Sequence, residues 1–88
     1  MRTKLDNWNN GWIGIELGIR RDEIDPLIAL LTMLKNDPDQ HFHISSDYKE
    51  SEGVGDIEIY VQSTDEESNM ILLGRAIAPG SEIDGPNA

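Results

Sequence analysis

The sequence predicts a small two-layer α+β domain of order βαβββ, with one mainly antiparallel sheet and a single helix packed on one face. Polar and apolar residues alternate strictly over residues 56–62, which is typical of a strand with one buried and one wet face. Apolar residues recur at three- and four-residue steps over residues 24–34, as in an amphipathic helix. A one-sided sheet and one such helix cover each other's apolar faces, so they form a two-layer domain.

The first predicted strand covers residues 12–19, where the alternation puts two different sets of side chains on the two faces. The set predicted to face the helix is Ile13, Ile15, Leu17 and Ile19. The opposite set is Trp12, Gly14, Glu16 and Gly18. Residues 1–10 are mostly polar, and we expect them to form a flexible leader.

The predicted helix follows Arg20-Arg21 and ends at Asn36-Asp37-Pro38, where proline cannot continue it. Either Asp22 or Asp25 can cap its first turn with a carboxylate. Pro26 favours Asp25, because proline suits the first helical position. The apolar stripe consists of Ile24, Leu27, Ile28, Leu31 and Leu34, widened by Leu30 and Met33.

Three further strands are predicted after the helix, over residues 40–46, 56–62 and 70–78, although residues 70–73 alone could be helical. The glycine-containing segment between the first two lacks the lysine and the following helix of a phosphate loop, so it is predicted to be a hairpin connection. The domain then spans residues 11–80, and residues 81–88 form a disordered tail. The predicted core is Ile15, Leu27, Leu31, Phe42, Ile59 and Val61.

Length and composition limit what the chain can be. Its 88 residues suffice for one domain with a modest core. The absence of cysteine excludes disulfides and zinc–thiolate sites and is compatible with the cytoplasm. Residues 1–7 have no apolar core of a secretory signal, and no apolar run is long enough for a membrane span. We therefore expect a cytoplasmic protein.

The formal net charge is -10 at pH 7. A chain this acidic is repelled by phosphate backbones and anionic lipids, so neither nucleic acid nor a membrane is an expected partner. The acidic surface either serves solubility or docks on a basic protein.

The one constellation with a chemical interpretation is His41-Phe42-His43. Residues two apart on a strand point the same way, so both imidazoles lie on one face and could share a metal ion. A third ligand would have to come from Asp47, Glu58 or Glu16, and spacing fixes none of them. The alternative is a pair of solvent-facing histidines beside carboxylates. The sequence assigns no metal, cofactor or catalytic residue, and we expect a protein that is not an enzyme.

Three motifs follow one another in this chain, namely the helix pattern Asp22-x-Ile24-Asp25-x-Leu27-Ile28-x-Leu30-Leu31, then Gln40-His41-Phe42-His43-Ile44 and then Gly55-Asp56-Ile57-Glu58. This order of motifs resembles a group of small bacterial proteins, some of which are classed with polymorphic-toxin immunity proteins. The resemblance covers about residues 13–62. It implies a cytoplasmic binding protein that neutralises a toxin, and it carries over no functional residues.

The function predicted from these observations is that of a small acidic, non-enzymatic protein-binding module, an immunity protein being one form of it. The predicted partner-binding residues are Glu16, His41, His43, Asp47, Tyr48, Glu58, Tyr60, Asp65, Glu66 and Glu67. Two alternatives stay open. One is a structural or regulatory homo-oligomer, for which unprotected strand edges predict a homodimer formed by strand pairing or by apolar residues of the helix flank. The other is a His-dependent metal-binding protein or small enzyme.

Overall fold

A computed structural model describes residues 1–78 and 81–84, and it confirms a small α+β fold. Its elements in chain order are β1 (Arg2–Asn7), β2 (Ile13–Gly18), α1 (Arg21–Asn36), β3 (His41–Ser45), β4 (Asp56–Tyr60), β5 (Arg75–Ala78) and β6 (Ser81–Asp84). The strands pair as three antiparallel two-stranded sheets, β1–β2, β3–β4 and β5–β6. The prediction of a single sheet in βαβββ order is therefore wrong for the described residues, which have hairpins before and after the helix.

The predicted flexible leader is wrong, because most of it is strand β1. This strand pairs with β2 in a register that sets Leu5 opposite Ile15. The backbone N–H of Trp8 donates to the carbonyl of Trp12 over 3.1 Å and closes the hairpin. Gly11 takes a φ of 96° in the connecting turn, a conformation that glycine adopts without steric cost.

The pairing of β1 with β2 places Gly14 under the indole ring of Trp8. A Cβ atom built on Gly14 would lie 3.1 Å from Nε1 of Trp8. Glycine at this position therefore lets the indole approach the backbone closely, as expected for a glycine inside a strand.

The helix starts at Arg21, five residues before the start at Pro26 that an Asp25 cap predicts. The N–H of Glu23 donates to the carbonyl of Arg20 over 2.9 Å, and the Glu23 carboxylate accepts the Arg20 N–H over 3.0 Å. This pair satisfies backbone groups that a helix start leaves free. Pro26 consequently lies inside the helix. The predicted end at Asn36 is confirmed.

The core is smaller than predicted. Among the described residues, only Leu34 (4% exposed) and Phe42 (8%) are buried hydrophobic side chains. Three predicted core members are exposed instead, namely Ile15 (58%), Leu31 (47%) and Val61 (40%). Ile15 belongs to a hairpin that shares no hydrogen bonds with β3 or β4, and Val61 follows the last residue of β4. The helix buries the face that carries Leu34, while Leu31 is half exposed.

The first hairpin, β1–β2, exposes an apolar face to solvent. Residues directly opposite each other in an antiparallel pair share a face, so the register places one uncharged set of side chains together. We call this set the β1–β2 apolar face; it consists of Thr3, Leu5, Asn7, Ile13, Ile15 and Leu17. Its four aliphatic side chains are all exposed.

The C-terminal hairpin contradicts two predictions. Residues 70–74 have no regular secondary structure, so the predicted strand over residues 70–78 is limited to β5. Residues 81–84, predicted as disordered, form β6 and pair with β5. The rest of the predicted tail, residues 85–88, lies outside the described residues, as do residues 79–80. No helix in the described part of the chain is long and apolar enough to cross a membrane.

Candidate functional site

The exposed face of the β3–β4 hairpin gathers the polar residues of two strands. His41 lies opposite Tyr60, His43 opposite Glu58, and Ser45 opposite Asp56. The intervening residues, Phe42 among them, point to the opposite, more buried side. We call the exposed set the outer face; it consists of His41, His43, Ser45, Asp56, Glu58 and Tyr60.

The two histidines lie side by side on the outer face. Their ring centroids are 5.0 Å apart, and the rings meet edge to face at 82°. Nδ1 of His43 lies 2.9 Å from Oδ2 of Asp56, and Nε2 lies 3.7 Å from Oε1 of Glu58. The imidazole of His43 is therefore held between two carboxylates.

Asp56 connects the histidine to a serine. The Ser45 hydroxyl donates to Oδ1 of Asp56 over 2.8 Å. This hydrogen bond, followed by that from His43, holds the pKa of Asp56 below its ordinary value. A Ser–His–Asp triad requires the histidine between the other two groups. Here the aspartate stands in the middle, so this arrangement does not activate Ser45 as a nucleophile.

Tyr60 links the outer face to the turn that follows β4. Its hydroxyl donates to Oε2 of Glu66 over 2.7 Å, and Oε1 of Glu66 accepts the N–H of Ser63 over 3.2 Å. The Glu66 carboxylate raises the pKa of Tyr60. The Tyr60 hydroxyl and then the Ser63 N–H lower the pKa of Glu66. Asp65 and Glu67 lie exposed beside it in the same turn.

We expect Tyr60→Phe to raise the pKa of Glu66 toward its ordinary value, because the substitution removes the hydroxyl that stabilises the carboxylate. A lowered pKa means that the Glu66 contribution to stability is present above the ordinary value of 4.5 and is lost as the pH falls through the folded-state pKa. Side-chain NMR titration of Glu66 measures this pKa. Tyr48→Phe is the control and should leave it unchanged. Identical Glu66 titrations in wild type and Tyr60→Phe would contradict the hydrogen bond.

The other predicted partner-binding residues do not join the outer face. Glu16 lies on β2, opposite Lys4 and in a different sheet. Asp47 and Tyr48 lie in the loop between β3 and β4, at the opposite end of the hairpin from Tyr60. The Tyr48 hydroxyl donates to the carbonyl of Gly55 over 3.4 Å, so this loop is ordered by its own contacts.

An open groove of about 380 Å³ lies between this loop and the starts of β1 and α1. Its lining includes four carboxylates, from Glu23, Asp47, Glu50 and Glu52. Arg2 lies 3.7 Å from Glu50, and the amino group of Met1 lies 2.8 Å from Glu23, so cations of the chain itself already offset part of this charge. Asp47 therefore belongs to the groove and not to the outer face.

Sequence reasoning missed Asp56 and Ser45 as members of the site. The signal was present, because Asp56 precedes Glu58 by two residues and Ser45 follows His43 by two. Residues two apart share a strand face. Alternation does not give the register of the two strands. The register places Asp56 opposite Ser45 and therefore close to His43.

Comparisons with protein-family models, with curated proteins and with solved structures find no match to this chain. The likeness to immunity proteins thus stays a prediction.

Proposed function

We propose that this chain is a small acidic, non-enzymatic protein-binding module that holds a basic protein through the outer face. The observation that carries the proposal is the make-up of that face. Its six side chains include an exposed tyrosine, two histidines and two carboxylates, and none of them is lysine or arginine. Glu66, hydrogen-bonded to Tyr60, adds a third carboxylate at the edge.

The chemistry of these groups suits a protein partner. Tyr60 is 50% exposed, and an amphipathic ring whose orientation is fixed by a hydrogen bond loses little entropy when it is covered. The carboxylates around it attract cationic side chains and disfavour acidic ones. The net charge of -10 adds long-range steering toward a basic protein.

The proposal includes the toxin-neutralising role that the sequence resemblance implies. The resemblance implies a protein that neutralises a toxin by binding it, which requires a complementary surface and no catalytic group. The outer face has the composition of such a surface, with an aromatic anchor inside a charged rim.

We expect Tyr60→Ala to weaken binding of the partner by about 30-fold, as for an interface anchor worth about 2 kcal/mol. The test is capture from the native host at low salt with wild type, Tyr60→Ala and a variant in which Asp65, Glu66 and Glu67 are replaced by their amides. The wild type should retain a basic protein that added salt releases, since ions screen exposed charges. Both variants should retain less of it.

Tyr48→Ala is the matched control, because Tyr48 is an exposed tyrosine at the other end of the same hairpin. It should capture the partner as wild type does. Recovery of the same proteins at the same salt by wild type, Tyr60→Ala and the neutralised turn would contradict the proposal.

A second candidate function, self-association, is favoured by the first hairpin. An isolated two-stranded hairpin is marginally stable in water, and β1–β2 shares hydrogen bonds with no other described strand. The β1–β2 apolar face carries no charge, so the apolar faces of two copies can pack against each other without like-charge repulsion. This packing would bury the exposed aliphatic side chains of both copies. We propose a second copy of this chain as the occupant.

A further inference from the structure

We propose that His41, His43 and Glu58 form a binding site for a divalent transition-metal ion, with Zn²⁺ as the ion that their chemistry fits best. Each of the three side chains offers one ligand atom, and these atoms all lie within 4.8 Å of one another. The site goes beyond the proposed protein-binding function and does not rest on it, because all three ligands come from one hairpin of one chain.

The separation of the ligand atoms suits zinc. Ligands about 2.1 Å from a tetrahedral Zn²⁺ lie about 3.4 Å from each other. Nε2 of His43 and Oε1 of Glu58 are already 3.7 Å apart. The wider separations within the cluster require small side-chain rotations, which these three exposed residues can make without disturbing the core.

A hydrogen bond orients the central ligand. When Nδ1 of His43 carries the proton, it donates to Asp56 over 2.9 Å and leaves the lone pair of Nε2 directed to the side of Glu58. Asp56 is itself fixed by the Ser45 hydroxyl. A carboxylate behind a metal-bound histidine is the usual supporting arrangement, since it sets the tautomer and the ring orientation.

The hairpin backbone holds the three ligands in place. His41 and His43 flank Phe42, which is buried, and Glu58 is the cross-strand partner of His43. Three protein ligands leave a fourth position open for water or for a group from a bound molecule. The two imidazole ligands favour zinc, copper and nickel over magnesium and calcium, which prefer sites made of oxygen ligands alone.

Metal binding is compatible with a basic partner. Asp56, Glu58 and Glu66 supply three negative charges on and beside the outer face, and a divalent ion offsets two of them. The loaded face therefore stays acidic, while the open coordination position adds a specific contact for a partner.

The test is calorimetric titration of the purified full chain with ZnCl₂ near neutral pH, with MgCl₂ as the comparison ion. We expect one saturable Zn²⁺ site per chain and no saturable Mg²⁺ binding. His41→Ala, His43→Ala and Glu58→Gln should each weaken Zn²⁺ binding by at least about 100-fold, and Asp56→Asn by about 10- to 100-fold. Glu67→Gln, an exposed carboxylate in the following turn, is the matched control and should bind as wild type does.

Circular dichroism of each variant shows whether it is folded, and the imidazole NMR signals of the wild type give a readout that needs no variant. Addition of ZnCl₂ should shift the signals of both histidines together. The absence of saturable Zn²⁺ binding by wild type in the micromolar range would overturn the proposal. So would unchanged affinity in His43→Ala, or imidazole signals that Zn²⁺ leaves in place.

Discussion

Replacing Leu34 with alanine is expected to lower the free energy of unfolding by about 2–5 kcal/mol. Leu34 is the most buried hydrophobic side chain among the described residues, at 4% exposure. Its truncation removes apolar contacts and leaves a cavity that the neighbouring side chains cannot fully close. Such a loss is a large fraction of the stability of a small domain. Urea denaturation followed by circular dichroism measures it.

Leu31→Ala is the matched control, because it makes the same chemical change on the same helix at a position that is 47% exposed. We expect a loss of about 1 kcal/mol or less, since much of the side chain is already in water. A larger loss for Leu31→Ala than for Leu34→Ala would contradict the burial of Leu34 and the exposure of Leu31 seen in the structure.

The second large effect is expected for Ile15→Asp, which should convert a dimer into a monomer. Ile15 lies in the middle of the β1–β2 apolar face, opposite Leu5. In a symmetric pair of chains, each copy would bury a new carboxylate without a partner, which strongly disfavours association. Light scattering at high micromolar concentration measures the mass of each protein.

Glu16→Gln provides the control for this experiment. Glu16 is the next residue along β2 and points to the opposite face, so the dimer mass should be retained. A monomer mass for wild type at high micromolar concentration would contradict the self-association proposal. So would a dimer of Ile15→Asp as stable as that of the wild type.

Alternation and helix-ending signals predicted the parts of the fold that local chemistry determines. The two faces of β3 and β4 follow from strict alternation, and the helix ends at Asn36 before Pro38, as predicted. Strand β1 was missed because its polar composition hides an alternating pattern that pairs with β2. The predicted helix start was wrong because it relied on Pro26 as the first helical residue, whereas Glu23 accepts the Arg20 N–H at the observed start and Pro26 lies inside the helix.

The small core could not be predicted from the pattern of the sequence. Periodicity shows which residues share a face, but it does not show whether that face meets another part of the chain. Ile15 was predicted to face the helix because a single sheet was expected, whereas β1–β2 is a separate two-stranded sheet. The same pattern therefore describes an exposed surface here and a core face in the predicted fold.

The candidate site was predicted in part. His41, His43, Glu58 and Tyr60 alternate on neighbouring strands, so their common face follows from the sequence. The inclusion of Glu66 depends on the Tyr60 hydrogen bond, and that of Asp56 depends on the register. The predicted residues that do not join the face, Glu16, Asp47 and Tyr48, lie in another sheet or in a loop, which alternation alone does not reveal.

The central claim is that the outer face binds a protein, and site-specific photo-cross-linking tests it most directly. A photoreactive phenylalanine analogue replaces Tyr60 in one protein and Tyr48 in the control, and both are irradiated in the native host. We predict a discrete adduct with a basic protein from position 60, lost when the Asp65–Glu67 turn is neutralised, and no such adduct from position 48. The absence of an adduct from position 60, or the same adducts from both positions, would contradict the claim.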